Sequence, residues 1–219
     1  MRPIPTLQLE REMLAAGRRL VAGVDEVGRG ALAGPLCVGA VAVVAATCDP
    51  PDGLADSKLL TAEARAAVAP LLREWACAWA LGWASAREID ESGLTVALRL
   101  AGHRALAGLG EAPDGIVLDG KHDWLTTPAT LFALAAPDPW LVRTVVGADR
   151  AHASVAAASV LAKVARDQTM VALAAAHPGY GWESNKGYGS AAHLDALRQL
   201  GSTEQHRRSW ALPGVAVRG

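Results

Sequence analysis

The chain has few aromatic residues, an odd number of cysteines and almost no net charge. It contains one Phe and two Tyr, so each tyrosine carries unusual weight in a search for functional residues. The three cysteines, Cys37, Cys48 and Cys77, lack the CxxC spacing of a zinc site and cannot all pair as disulfides. We therefore predict reduced thiols in the core of a cytoplasmic protein.

Long hydrophobic runs are also missing. The longest apolar segment, 36–46, is too short to cross a bilayer and suits a buried strand. Charged residues interrupt the first 19 positions, which leaves no apolar segment typical of a signal peptide. The formal net charge of −1 gives no indication of a nucleic-acid partner, although a carboxylate cluster beside a basic rim would produce the same total.

Apolar periodicity predicts a single α/β domain over 1–219, with a helical segment at 1–18 and a helix and tail at 190–219. Half of the residues are hydrophobic, enough for one sizeable core. The expected strands are 20–27, 36–44, 75–83, 115–119 and 141–146, and the expected helices are 62–74, 92–107, 153–176 and 191–200. Trp75, Trp79 and Trp83 would also align on a helix, but small residues between them favour a strand that packs the core.

Acidic residues follow three of the predicted strands. Asp25 and Glu26 end the first strand, Asp119 ends 115–119, and Asp149 comes after 141–146. Ligand sites collect at strand ends in α/β sheets, and carboxylates buried there need compensation, which hard divalent cations provide. Each acid taken singly is more simply a cap or a surface ion pair. Together they predict a two-metal phosphoryl-transfer site, with ions about 3.5–4 Å apart.

A glycine turn, Gly28-Arg29-Gly30, follows the first acid pair directly. A dinucleotide-binding loop has the spacing GxGxxG, whereas the third glycine here is Gly34, which gives GxGxxxG. The preceding acids would also repel a pyrophosphate unless a metal intervened. A dinucleotide site is therefore disfavoured.

Seven short motifs occur in a fixed order from about residue 20 to residue 210. They are 25–30 with 33–35 (DEVGRG, AGP), 56–58 (DSK), 118–120 (LDG), 148–149 (AD), 156–167 (AAASVLAKVARD), 186–189 (KGYG) and 206–209 (HRRS). With these motifs the chain resembles the type 2 ribonuclease H family, in particular its bacterial ribonuclease HII members. The resemblance implies a ribonuclease H-like fold, a mixed five-stranded sheet flanked by helices.

The resemblance also implies the site. The catalytic residues and ligands of two Mg²⁺ or Mn²⁺ ions would be Asp25, Glu26, Asp119 and Asp149. Ribonucleotide recognition would come from the backbone of Gly28, Arg29 and Gly30 and from Tyr188, which matches the family tyrosine by its Lys-Gly-Tyr context, as Tyr180 does not. The chemistry fits, because glycines let the main chain approach a sugar and the 2′-hydroxyl separates RNA from DNA.

Lysines of two motifs are candidate phosphate contacts. Lys58 and Lys186 would bind the duplex backbone, although a solvated side chain is an equally simple reading of Lys58. Asp167, four residues after Lys163 on a helix, is assigned to an ion pair and not to the catalytic set. His206 could face phosphate or merely terminate the fold.

The implied activity is that of an endonuclease. It would cut RNA/DNA hybrids, and duplex DNA on the 5′ side of single ribonucleotides, leaving 3′-hydroxyl and 5′-phosphate ends. A monomer without membrane contact is expected, and nothing indicates a protein partner. The alternatives are a two-metal nuclease or strand-transfer enzyme of the same broad fold that ignores the 2′-hydroxyl, and a catalytically silent duplex-binding module. The presence of all four carboxylates disfavours the silent module.

Overall fold

The computed structural model describes residues 4–128 and 138–213. A five-stranded sheet in the order β3-β2-β1-β4-β5 forms its centre, so the predicted mixed sheet is confirmed. The strands are β1 (Val21–Val27), β2 (Leu36–Val43), β3 (Ala78–Ala84), β4 (Gly115–Asp119) and β5 (Leu141–Val145). β1, β2 and β3 pair antiparallel in succession, whereas β4 runs parallel to both β1 and β5.

Helices cover both faces of the sheet, and the two main apolar clusters lie between the helices and the strands. α4 packs on one face, and α6 packs on the other together with α1 and α2. The helices are α1 (Gln8–Ala15), α2 (Ala62–Trp75), α3 (Ala86–Ser92), α4 (Leu94–Ala107), α5 (Ala148–Ala151), α6 (Ala153–Ala176), α7 (Trp182–Asn185) and α8 (Ala191–Leu200). Within 4–128 and 138–213, no helix combines the length and apolar character needed to cross a membrane.

α6 lies unusually close to the sheet because glycines face it. A Cβ atom on Gly23 of β1 would lie 2.3 Å from Ser154, and one on Gly39 of β2 would lie 2.4 Å from the carbonyl oxygen of Ala158. Real side chains could not fit there. This close packing brings the N-terminal third of α6 against the end of β1, where Asp25 lies.

Two sequence predictions about elements were wrong in detail, and α3 and several shorter elements were not predicted. Trp75 ends α2, which continues through Pro70, so β3 begins three residues later than expected. The predicted helix 92–107 is interrupted at Gly93, whose φ of 79° ends α3 and starts α4. The short helices α5 and α7 and a 3-10 turn at Ser57–Leu59 were not predicted.

The predicted core roles of the cysteines and tryptophans are only partly confirmed. Cys37 is buried, but Cys48 and Cys77 are exposed, because they lie in the connections that flank α2 and not on a buried face. Trp75 and Trp79 are partly buried against the cluster beneath α6, as core packing requires. Of the predicted terminal segments 1–18 and 190–219, residues 1–3 and 214–219 lie outside the described ranges.

Candidate active site

The predicted acids meet at one edge of the sheet. The parallel register pairs Val24 of β1 with Leu118 of β4, and one further step along both strands places Asp25 beside Asp119. Asp149 follows the parallel neighbour β5 and lies in α5. Asp25 is close enough to Glu26, Asp119 and Asp149 for each of their charges to act on it.

Asp25 and Asp149 are both buried, with 5% and 2% of their surfaces exposed. Burial raises the pKa of Asp25 to about 8; a hydrogen bond with the Ser159 hydroxyl acts in the opposite direction, and the neighbouring carboxylates raise the pKa further. The Ser159 hydroxyl also lies 2.9 Å from that of Ser57. A buried pair of serines therefore links Asp25 to the Asp56-Ser57-Lys58 motif.

The other acids are each held by a different donor. Burial raises the pKa of Glu26, whereas the Arg29 guanidinium, 3.5 Å from Oε1, lowers it. Asp119 Oδ1 accepts a 2.7 Å hydrogen bond from the amide of Ala148, and Asp149 Oδ2 lies 3.4 Å from Nζ of Lys58. The four carboxylates are thus neighbours that do not share a partner.

A divalent cation fits this donor set. Oε2 of Glu26 is buried without a hydrogen-bond partner, and Asp25 keeps a carboxyl group in a place where its charge is strongly disfavoured. Both features are relieved by a hard cation that binds carboxylate oxygen. Among the described residues no three acid, histidine or cysteine side chains are already gathered as a ligand set.

Two buried arginines shape the glycine turn beside the acids. Arg207 donates to the carbonyl oxygens of Arg29 and Gly28 at 2.6 and 2.5 Å. Arg166 donates to the carbonyl oxygens of Pro35, Lys186 and Ala33, at 2.9, 2.9 and 3.3 Å. In a trans peptide the N–H points away from the C=O, so Arg207 turns the amides of Arg29 and Gly30 away from itself, toward the exposed side of the turn.

The two glycines of this turn differ in what the fold requires. Gly28 has a φ of 88°, and a Cβ atom there would lie 2.0 Å from Nε of Arg166. Gly30 has no positive φ, and a Cβ atom there would meet nothing within 4 Å. The fold therefore explains Gly28 but not Gly30, whose lack of a side chain leaves the exposed amides open to a ligand.

Tyr188 lies next to this turn, whereas Tyr180 does not line the site. The carbonyl oxygen of Gly187 accepts hydrogen bonds from the amides of Leu32 and Ala33, at 2.8 and 3.2 Å. The Tyr188 ring is 38% exposed, with the Arg166 guanidinium 5.4 Å from its centroid. Tyr180 is buried, stacks on Trp182 and donates to the carbonyl oxygen of Gly201.

The structure places the two candidate lysines differently. The Lys58 side chain is mostly exposed and lies beside Asp149. The carboxylate of the buried Asp56 accepts a hydrogen bond from the Lys58 amide and forms an ion pair with Arg150 at 3.1 Å. The Lys186 ammonium donates to the carbonyl oxygen of Glu183 within its own turn, where the residue has a φ of 52°. The expected ion pair between Lys163 and Asp167 is present at 2.6 Å.

Sequence reasoning gave no structural role to seven residues that support the site from the buried side. They are Asp56, Ser57, Arg150, Ser159, Arg166, His193 and Arg207. Five of them lie within the motifs 56–58, 156–167 and 206–209, and the charged Arg166 in an Ala-rich stretch was a further signal, because a buried charge needs partners. His206 does not face phosphate, because it is buried and hydrogen-bonded to His193.

Comparison with known proteins identifies the family. The family model described as Ribonuclease HII matches residues 22–212. A Ribonuclease HII from Streptomyces griseus is 50% identical over 211 residues, 94% of this chain and 84% of that protein.

Two solved structures share the fold. The ribonuclease H2 of Pyrococcus horikoshii OT3 superposes with a TM-score of 0.66 at 26% identity, covering 89% of this chain and 95% of that one. Bst-RNase HIII in complex with Mn²⁺ gives 0.63 at 26% identity, covering 94% and 70%. The sheet is thus ribonuclease H-like, and this chain belongs to the ribonuclease HII family of ribonuclease H enzymes.

Proposed function

We propose that this ribonuclease H cuts on the 5′ side of a ribonucleotide in a DNA-paired strand, both in RNA/DNA hybrids and at single ribonucleotides in duplex DNA. The products would be 3′-hydroxyl and 5′-phosphate ends. One observation carries the proposal: the glycine turn follows Asp25 and Glu26 directly, and the chain just after it is hydrogen-bonded through Leu32 and Ala33 to Gly187, the residue before Tyr188. A sugar-reading element therefore adjoins the acids that would act on the phosphate.

The acids Asp25, Glu26, Asp119 and Asp149 would hold two Mg²⁺ or Mn²⁺ ions. When bound, such ions supply a Lewis acid for the scissile phosphate and lower the pKa of water. The unpartnered oxygen of Glu26 and the disfavoured charge of Asp25 support this assignment. So does the related Bst-RNase HIII, which was solved with Mn²⁺.

The remaining candidate residues would bind and orient the substrate. Amides of Arg29 and Gly30 can donate to a 2′-hydroxyl or to the adjacent phosphate, and Gly28 keeps the turn in place. The Tyr188 ring would pack on the neighbouring sugar. Lys58 and Lys186 would contact phosphates, for which Lys186 must leave the carbonyl oxygen of Glu183. Residues 1–219 would act as one catalytic domain.

A gel assay with matched duplexes tests this proposal. One duplex carries a single ribonucleotide, the second is its all-DNA counterpart, and the third is a continuous RNA/DNA hybrid, each with Mg²⁺, Mn²⁺ or EDTA. We expect cleavage of the first and third duplexes in either metal, none in EDTA, and none of the all-DNA duplex. Equal cleavage of the all-DNA duplex would instead identify a nuclease that ignores the sugar.

The position of the cut and the role of Tyr188 need separate measurements. Product mapping should place the cut 5′ of the ribonucleotide, with a 5′-phosphate that permits ligation. Tyr188→Ala should lower kcat on the single-ribonucleotide duplex at least about tenfold, or about 1.4 kcal/mol of barrier, with little change in duplex affinity. Tyr188→Phe, which keeps the ring, is the matched control. Normal turnover by Tyr188→Ala would refute its sensing role and leave the carboxylate assignment standing.

A further inference from the structure

Two buried histidines lie directly behind Tyr188. His193 is in the first turn of α8 and His206 precedes Arg207, and each is at most 1% exposed. Burial lowers the pKa of His193, and burial together with nearby cationic groups lowers the pKa of His206 to about 4. Both rings are therefore neutral near pH 7, and each carries one proton on one nitrogen.

Neighbouring donors determine which nitrogen of each ring is protonated. The Thr203 amide donates to Nδ1 of His206 at 2.9 Å, so that nitrogen is an acceptor and Nε2 carries the proton. Nε2 of His206 lies 3.1 Å from Nε2 of His193, to which it donates. The Trp182 indole donates to the same His193 nitrogen, also at 3.1 Å. Two independent donors thus make Nε2 of His193 an acceptor.

The proton of His193 is consequently on Nδ1, which lies 2.9 Å from the carbonyl oxygen of Tyr188. That oxygen also accepts from the Ser190 amide at 2.8 Å. On its other side, the Tyr188 main chain is tied through Gly187 to the amides of Leu32 and Ala33. Buried hydrogen bonds therefore fix the main chain of a residue whose ring is exposed.

We propose that His193, held in one tautomer by His206 and Trp182, is a positioning residue that orients Tyr188 against the glycine turn. This inference rests on the proposed sensing role of Tyr188. The Nδ1–H of His193 sets the peptide plane from which the Tyr188 ring projects. A ring rotated away from the glycine turn would leave the substrate sugar misplaced relative to the carboxylates, and small misplacements at a reacting phosphate are costly.

Two substitutions of His193 separate positioning from packing. His193→Phe nearly preserves volume but removes the donor, whereas His193→Asn creates a small cavity and can keep an N–H close to the Nδ1 position. We expect His193→Phe to lower kcat on a single-ribonucleotide duplex at least about fivefold with KM within about twofold. His193→Asn should recover most of that kcat, even if its melting temperature is the lower of the two. Activities that followed melting temperature instead would overturn the inference.

A double-variant cycle tests whether His193 acts through Tyr188. In a Tyr188→Ala background, His193→Phe should cost little further kcat, because the ring that it positions is already gone. If Tyr188→Ala is impaired and His193→Phe lowers kcat equally in the unsubstituted and Tyr188→Ala proteins, the inference about His193 is overturned while the sensing role of Tyr188 stands. Normal turnover by Tyr188→Ala would overturn the sensing role and this inference together. Nitrogen-15 NMR of the full chain identifies the tautomer of His193 without substrate. We expect the Nδ1–H tautomer, and finding the Nε2–H tautomer would overturn the inference.

Discussion

The side chain of Arg207 donates to the carbonyl oxygen of Gly28 at 2.5 Å, across 179 positions of the sequence. The same guanidinium donates to the carbonyl oxygen of Arg29, so one buried cation holds two successive peptides of the glycine turn. Burial, with the charge of Arg166 acting in the same direction, lowers the pKa of Arg207 to about 9. The guanidinium remains charged at neutral pH, and these carbonyl oxygens, that of Gly34 at 3.4 Å and a facing tryptophan ring compensate for its burial.

We predict that Arg207→Lys destabilises the protein and impairs catalysis. A lysine ammonium cannot reproduce the planar fork that spans the two carbonyl groups, so at least one charge-assisted hydrogen bond is lost. The free energy of unfolding should fall by about 2–4 kcal/mol in urea titrations. At a temperature where the variant is folded, kcat on a single-ribonucleotide duplex should also fall. The control is Arg208→Lys, which changes a partly exposed neighbour outside the turn; comparable losses in both variants would contradict this account.

A second prediction contrasts the two glycines of the turn. Gly30→Ala should fold with unchanged stability, because its Cβ meets nothing and φ is not positive, yet it should weaken the use of ribonucleotide substrates. Gly28→Ala should lower the free energy of unfolding by at least about 1 kcal/mol, since φ is positive and Arg166 occupies the space. Circular dichroism melts measure the stability effect, and initial rates on the single-ribonucleotide duplex and the RNA/DNA hybrid measure the catalytic effect. A fully active Gly30→Ala would show that the substrate does not approach this backbone.

Short-range patterns predicted the strands and the acids at their ends, whereas the ribonuclease H-like sheet and the substrate-binding residues were implied by the family resemblance. Asp25 and Asp119 stand at the ends of apolar strands, and strand ends on the same edge of a parallel pair come together whatever the loops between them do. The contacts of Arg207 and His193 could not be predicted, because they join segments far apart in sequence. Trp75 was misassigned since its spacing to Trp79 and Trp83 fits a helix and a strand equally well. Gly93 ends a helix through a positive φ, which the residues around it in the sequence do not predict.

The third prediction concerns Asp25, whose pKa is raised to about 8 by burial. Asp25→Asn keeps the side-chain volume but removes a charged ligand, so cleavage in Mg²⁺ or Mn²⁺ should fall at least about a thousandfold. In EDTA at neutral pH its melting temperature should exceed that of the unsubstituted protein, because folding no longer has to protonate or bury a carboxyl group whose charge is disfavoured near Glu26 and Asp119. Added Mn²⁺ should raise the melting temperature of the unsubstituted protein more than that of the variant. Asp52→Asn, at an exposed acid, is the control, and normal turnover by Asp25→Asn would refute the metal-ligand assignment.

The last prediction concerns acid stability and depends on His206. Its pKa is about 4 in the folded protein, against 6.5 for the free side chain, because burial disfavours the imidazolium and the charges of His193 and Arg208 add to that effect. Between those pH values the unfolded chain binds more protons at this position than the folded chain does. The free energy of unfolding therefore falls as pH falls from about 6.5 to about 4, and no further loss from this group occurs at lower pH.

Replacing the ring isolates this contribution. His206→Gln can keep a donor toward His193 but cannot titrate, so its free energy of unfolding should decline less between pH 7 and pH 4.5. The difference in slope should amount to about 1–3 kcal/mol over that range in urea titrations with EDTA. Carboxyl groups titrate in both proteins and cancel in the comparison. His122→Gln, at an exposed histidine, should retain the slope of the unsubstituted protein. Parallel pH profiles for His206→Gln and the unsubstituted protein would mean that His206 is not held neutral by the fold.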